Sequence, residues 1–347
     1  MAEIALRAQP ETGRAATRVP TGVVVIVLAV LTVLLCLVSL AIGSQSLTLE
    51  ELVSAFVPGE RTVASIIVWQ LRMPRTVLAA MVGAALAVAG VVMQGLTRNP
   101  LAEPGILGVN ARASLSVVLS MSLLGLTDVG EFLWFAFAVA ALAAFLVHLI
   151  SVRSADAGPA RLVLAGVALG ASLRSITGTV TMYDSVTFDS YRFWVLGSLV
   201  DRDAELLVWV APFLVVGLVL ALASGLTLNA LALGEEQAKA LGVSPRRARA
   251  LALTSITLLC GASTAAVGPI SFVGLVVPHV LRLALGADQR KLLAVSVVAG
   301  PVLLLAADIL GRVILESGEM EAGVVTAFIG GPVLLFMVIQ RMGVRGR

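Results

Sequence analysis

Charge is scarce in this chain. Asp, Glu, Lys and Arg make up 13% of its 347 residues, where a soluble domain carries about a quarter. Lysine is scarcer still: Lys239 and Lys291 are the whole supply, and neither follows a glycine. A phosphate-binding P-loop needs a Gly-Lys step opening a helix, so ATP is not bound here by that route. The two histidines, His148 and His279, have no Cys or His neighbour at ligand spacing, and neither H-E-x-x-H nor G-x-S-x-G occurs. No catalytic residue and no metal ligand is therefore assigned. Cys36 and Cys260 both lie inside apolar runs and read as packing residues, with no disulfide framework. Acids inside apolar runs are almost absent, although ion-coupled carriers usually place them there. Asp308 alone sits well inside one, with Arg312 one helical turn on. That spacing favours a helix-internal ion pair and leaves a proton site as the alternative.

What fills the chain instead is apolar. Hydrophobic residues reach 59% and mean hydropathy is +1.02. A spanning helix needs about 20 apolar residues, and candidate spans fall at 21–42, 74–96, 103–124, 131–151, 161–182, 205–225, 246–267, 271–285, 292–314 and 322–341. The prediction is an all-α polytopic membrane protein of about ten transmembrane helices. The eighth span is short and flanked by prolines, which suits a partial or broken helix surrounded by protein or a water-filled cavity. Val23 to Ile42 is too long for a signal-peptide core and reads as a retained first span. Residues 1–347 form one membrane domain, with a cytoplasmic tail at 1–20.

The net charge of +3 and pI near 9.3 do not imply a nucleic-acid partner, because the basic residues sit in short loops. With the N-terminus inside, sixteen Lys and Arg fall in cytoplasmic segments and six outside. An even number of spans returns the C-terminus to the cytoplasm. Small residues at helical spacing, such as Gly83 with Ala87 and Gly166 with Gly170, allow close helix approach. The longest polar stretch expected to face the cytoplasm is 231–250, LALGEEQAKALGVSPRRARA. Within it a short helix is stopped by Gly242, and Pro245 suits the first turn of the next helix.

Several segments, in order, carry a resemblance. They include LRMPRTVLAAMVGAALAVAGVVMQGLTRNPLAEPGILGV at 71–109, LVLAGVALG at 162–170, FWVLGSL at 193–199 and LALGEEQAKALG at 231–242. GPISFVGLVVPHVLRL at 268–283, LLLAADILGR at 303–312 and GVVTAFIGGPVLL at 323–335 follow. Together they resemble the FecCD/BtuC-like permease subunits of ATP-binding-cassette importers for iron–siderophore complexes, haem and cobalamin. The resemblance implies a type II importer permease fold in the bacterial cytoplasmic membrane. It implies two ATPase subunits holding ATP and magnesium, a second permease subunit, identical or homologous, and an external substrate-binding protein. No cofactor is expected on this chain, and ATP hydrolysis is expected elsewhere. Leu233, Gly234, Glu235, Glu236, Ala238, Leu241 and Gly242 correspond to the family's coupling helix, which docks in a groove of the ATPase.

Arg72 and Arg75 are three apart, hence on one helix face, and Arg312 ends another span on the same side. Snorkelling at the interface would explain them; the resemblance makes them docking points for the binding protein. The Asp189-Ser190-Tyr191-Arg192-Phe193-Trp194 stretch looks most like the siderophore branch, with haem or cobalamin as the alternative cargo. An ion-coupled carrier is the rival class. The chain departs from the pattern at Glu319-Met320-Glu321, which lacks a proline, at Ala157–Ala160 beside the expected gate, and at Arg112. Arg174 lies thirteen residues past Arg161, roughly 20 Å along the fifth span. A charge at that depth either faces a cavity or a partner, or it snorkels to the outer surface or pairs with an outer acid such as Asp184.

Overall fold

The computed structural model describes residues 19–43, 47–57, 62–126, 135, 159–315 and 318–345. Every regular element among them is helical. In chain order these are α1 (Thr21–Ala41), α2 (Leu49–Ser54), α3 (Val63–Ile66), α4 (Met73–Thr97), α5 (Val109–Leu124), α6 (Pro159–Tyr183) and α7 (Ser185–Trp194). They continue as α8 (Ala204–Ala223), α9 (Gly225–Ala232), α10 (Glu235–Ala240), α11 (Pro245–Val267), α12 (Val273–Leu285), α13 (Gln289–Ile314) and α14 (Ala322–Arg345). Six helical stretches among the described residues are long and apolar enough to cross a membrane. Each expected span other than 131–151 has a helix near its bounds; of 131–151 only Phe135 is among the described residues.

The third span begins later than expected. Pro104 opens a separate 3-10 turn over Pro104–Leu107, and Gly108, at φ 75°, ends it before α5 starts. At the other end of α4, one π-helical turn over Ile67–Arg72 leads straight in from α3.

Helix α4 is the axis of the bundle. Every residue from Val82 to Leu96 is buried. Its small residues meet backbone rather than side chains: a Cβ on Gly90 would lie 1.9 Å from the Gly274 carbonyl oxygen, and one on Gly300 would lie 2.0 Å from that of Gly83. Helices α12 and α13 therefore lock against α4 at glycine contacts. Lipid tails give no hydrophobic drive for helix association, so such close van der Waals packing holds the bundle together. Much of α1 and α8 is left exposed, including Ile26, Val33, Val208 and Val219. In a bilayer these faces meet lipid.

The short eighth span is broken from the seventh. Gly268 ends α11, and Phe272 opens α12 from the left-handed region at φ 70°. The Glu103 carboxylate accepts the Phe272 backbone N–H at 2.7 Å, and Gln94 donates to the Gly274 carbonyl at 3.2 Å. Non-helical backbone at membrane depth is thus given partners by neighbouring segments, as the absence of water requires.

Candidate functional site

The two ends of the bundle carry different chemistry. At one end is the 231–250 loop. Leu231 and Ala230 are buried at the close of α9 and, with Ala248 of α11, form a small apolar base. Ala238 of α10 is fully buried on that base. Gly234 sets the turn into α10 with φ 123° and ψ 155°, a conformation open only to glycine. Glu235 and Glu236 lie in the first turn of α10 and Lys239 in the last, each complementing the helix dipole. Gly242, at φ 79°, ends the helix: its N–H bonds to the Lys239 carbonyl, and that of Val243 to the Ala238 carbonyl. This pair of bonds is the Schellman pattern. Glu235 pairs with Arg249 of α11, tying the loop down. Leu233 and Leu241, just outside the two ends of α10, are 62% and 63% exposed.

At the opposite end, Arg72, Arg75 and Arg312 are brought together, but not as free charges. Arg72 is 5% exposed and donates to the carbonyls of Leu40 and Ala41 at 2.7 and 2.8 Å. Arg312 donates to the carbonyls of Ser39 and Ile42 at 2.8 and 2.9 Å and to Ser39 Oγ at 3.1 Å. Both cations thereby cap the C-terminal carbonyls of α1, which a helix leaves unpaired and negative. Arg312 also pairs with Asp308, forming the ion pair the spacing predicts. Arg75 grips Asp308 through Nε and Nη2 at 3.1 and 2.8 Å, and Glu319 through Nη1 at 2.6 Å. Asp308 is 1% exposed, so it is the buried counter-charge shared by two arginines.

A cleft of about 540 Å³ opens beside this cluster, lined among others by Gln70, Arg72, Arg75, Asp201, Arg202 and Glu319. Glu319 is the member that sequence reading missed. It lies 244 positions from its partner, and no local pattern signals the contact.

Arg174 is exposed on α6, as are Leu164, Val167 and Ile176. Its Nη1 lies 3.7 Å from where a Gly170 Cβ would be. Asp184 is engaged elsewhere: it caps α7, accepting from Val186 and Thr187 backbone N–H groups. Arg112 is buried on α5. Cys260 is buried and Cys36 half-buried, both among apolar neighbours. The residues before the expected gate, 157 and 158, lie outside the described residues.

Membrane-length helices packed on glycines, a broken helix pair inside the bundle and a small helix presented at one end define a multi-pass membrane transport subunit. The chain belongs to the FecCD transport family, whose profile matches residues 31–340. It is 44% identical over 316 residues to the ferric enterobactin transport system permease protein FepD of Escherichia coli (strain K12), covering 90% of this chain and 94% of that one. The hemin transport system permease protein HmuU of Yersinia pestis is 36% identical over 335 residues, covering 95% and 98%. An inward-facing metal-chelate type ABC transporter has the same fold, with a TM-score of 0.80 at 28% identity, covering 91% of this chain and 99% of that one. The chain is a transport permease and not itself an enzyme.

Proposed function

We propose that this chain is the membrane-spanning permease subunit of an ATP-driven importer, carrying an iron–siderophore complex across the cytoplasmic membrane by alternating access. The observation that carries this reading is α10 with its flanks. A six-residue helix is too short to be stable alone, yet it is capped, charge-matched and seated through Ala238 on Ala230, Leu231 and Ala248. Its two flanking leucines are exposed apolar surface that a partner would cover, and fully burying a leucine side chain contributes about 1.5–3 kcal/mol. The partner is a cytoplasmic ABC ATPase, which holds ATP and magnesium. Leu233, Gly234, Glu235, Glu236, Ala238, Leu241 and Gly242 form or shape the docking surface. The loop end of the bundle then faces the cytoplasm, with both chain termini, and the arginine end faces outward.

A second permease, identical or similar, completes the pathway, and Arg174 on the exposed face of α6 lines it. An external binding protein docks at the cleft beside Arg72, Arg75 and Arg312. Because Arg75 already pairs with Asp308 and Glu319, docking there exchanges one carboxylate for another rather than meeting bare charge. An incoming acid reaches Arg75 by displacing Glu319. Binding-protein docking and ATP binding favour different openings of the pathway, so transport proceeds by population shift.

The ferric enterobactin relative favours a ferric siderophore as cargo. The test is to copurify the tagged full-length chain with its ATPase and binding protein, then measure uptake of a ferric tricatecholate, hemin and cobalamin into vesicles. Uptake of the ferric tricatecholate is expected. Uptake of hemin or cobalamin alone would overturn the cargo assignment.

A further inference from the structure

Asn229 stands on α9, four residues before Leu233. Its side-chain amide is used on both sides. Nδ2 donates to Asp288 Oδ1 at 2.9 Å, and Oδ1 accepts the Gln289 backbone N–H, also at 2.9 Å. The same Asp288 oxygen accepts the Arg290 N–H at 3.0 Å and so caps α13. One amide therefore grips both the cap and the first N–H of α13. The helices are close here: a Cβ on Gly225 would lie 3.0 Å from Arg290 Cγ.

From that grip, α13 runs 26 residues, about 39 Å at 1.5 Å per residue. Midway it rests on α4 through the backbone contact of Gly300 with Gly83. At its far end, Asp308 and Arg312 hold Arg75 and the last turn of α1. One helix thus joins the base of the 231–250 loop to the arginine cluster. A displacement of α9 moves the start of α13 or breaks two hydrogen bonds. Coupling between distant sites is carried by contiguous packed elements of this kind.

We infer that Asn229, through Asp288 and Gln289, is a positioning residue that transmits the state of the ATPase-docking loop along α13 to the arginine end. The inference rests on the proposed ATP-driven importer. The amide gives the orphan Gln289 N–H an acceptor and steadies the capping carboxylate, and in doing so it ties α9 to the start of α13.

The test uses the full chain copurified with its ATPase, with Cys36→Ser and Cys260→Ala as background. Gln70→Cys, on the cleft at the arginine end, reports by its reaction rate with a membrane-impermeant maleimide, with and without ATP plus vanadate. In the parent the rate changes severalfold with nucleotide. Asn229→Asp sets a carboxylate against Asp288 and is expected to lose that change while still bringing down the ATPase. Adding Asp288→Asn restores an amide–carboxylate pair, with the polarity reversed and the Gln289 N–H still accepted, and is expected to recover the response. If Asn229→Asp responds like the parent, the inference falls. It falls equally if the response is lost and the double variant does not regain it, since Asn229 would then be a static staple. A parent whose ATPase copurifies but whose Gln70→Cys ignores nucleotide also overturns it. A parent that brings down no ATPase overturns the importer reading first, and the inference with it.

Discussion

Asp308 is where single residues matter most at the arginine end. It pairs with two guanidinium groups while almost fully buried, and removing one partner of a buried ion pair costs about 3–5 kcal/mol. Asp308→Ala is therefore expected to lower the thermal midpoint of the purified chain sharply, read by tryptophan fluorescence in detergent. A midpoint within a degree or two of the parent, on the order of 0.5 kcal/mol, would contradict the shared-counter-charge assignment. Glu319 is only one-fifth exposed and competes for Arg75. Glu319→Gln should tighten association with the external binding protein by about 1 kcal/mol, roughly fivefold, if docking displaces it; weaker association would mean that Glu319 itself helps to dock. Charge reversal at Arg72 or Arg312 is a poor test of docking, because it removes the caps of α1 as well. The Asp308–Arg312 pair was legible from a spacing of four. The Arg75–Glu319 contact and the carbonyl partners of Arg72 were not, because they join segments far apart in sequence and depend on how α1 and α13 pack against α4.

The elements divide in the same way. Helices α1, α4, α8, α11, α13 and α14 were legible because each is a long apolar run with polar or proline-marked ends. The short helix in the 231–250 loop and its stop at Gly242 were legible from the residues, and Gly234 and Gly242 gain a physical reason in their positive φ angles. The π turn at Ile67–Arg72 and the left-handed Phe272 left no mark in the apolar pattern. They are fixed by tertiary partners, among them the Glu103 carboxylate. Gly234→Ala forces a Cβ into a region essentially restricted to glycine, costing about 1–3 kcal/mol locally. It should weaken ATPase copurification and uptake together while leaving membrane insertion normal; unchanged copurification would count against a docking role for this turn. A pH effect belongs to α7. Thr187, by side-chain and backbone hydrogen bonds, holds the Asp184 carboxyl below its ordinary value of 3.8. A depressed carboxylate pKa means the cap contributes fully above the unfolded pKa and is lost as pH falls through the folded one. The stacked Tyr191–Trp194 pair on α7 should therefore change fluorescence only below about pH 4, and Asp184→Asn should remove that change. A transition near neutrality would assign it to another group.

For the molecule as a whole, apolar composition and the scarcity of intramembrane acids left energy to be supplied from outside the chain, and α10 is the surface that would receive it. The α6 face bearing Arg174 would line the pathway between two permeases. Arg174→Ala should then slow uptake of an anionic ferric chelate more than a neutral one, and equal uptake of both would leave Arg174 a structural charge. In the proposed importer, cargo moves at the expense of ATP on a partner subunit. That coupling is tested most directly in vesicles holding this chain, its copurified ATPase and its binding protein, by following ferric tricatecholate uptake with ATP present or absent at the loop face. Uptake is expected only with hydrolysable ATP, and none from an imposed proton or sodium gradient. Uptake driven by such a gradient without ATP would contradict that coupling.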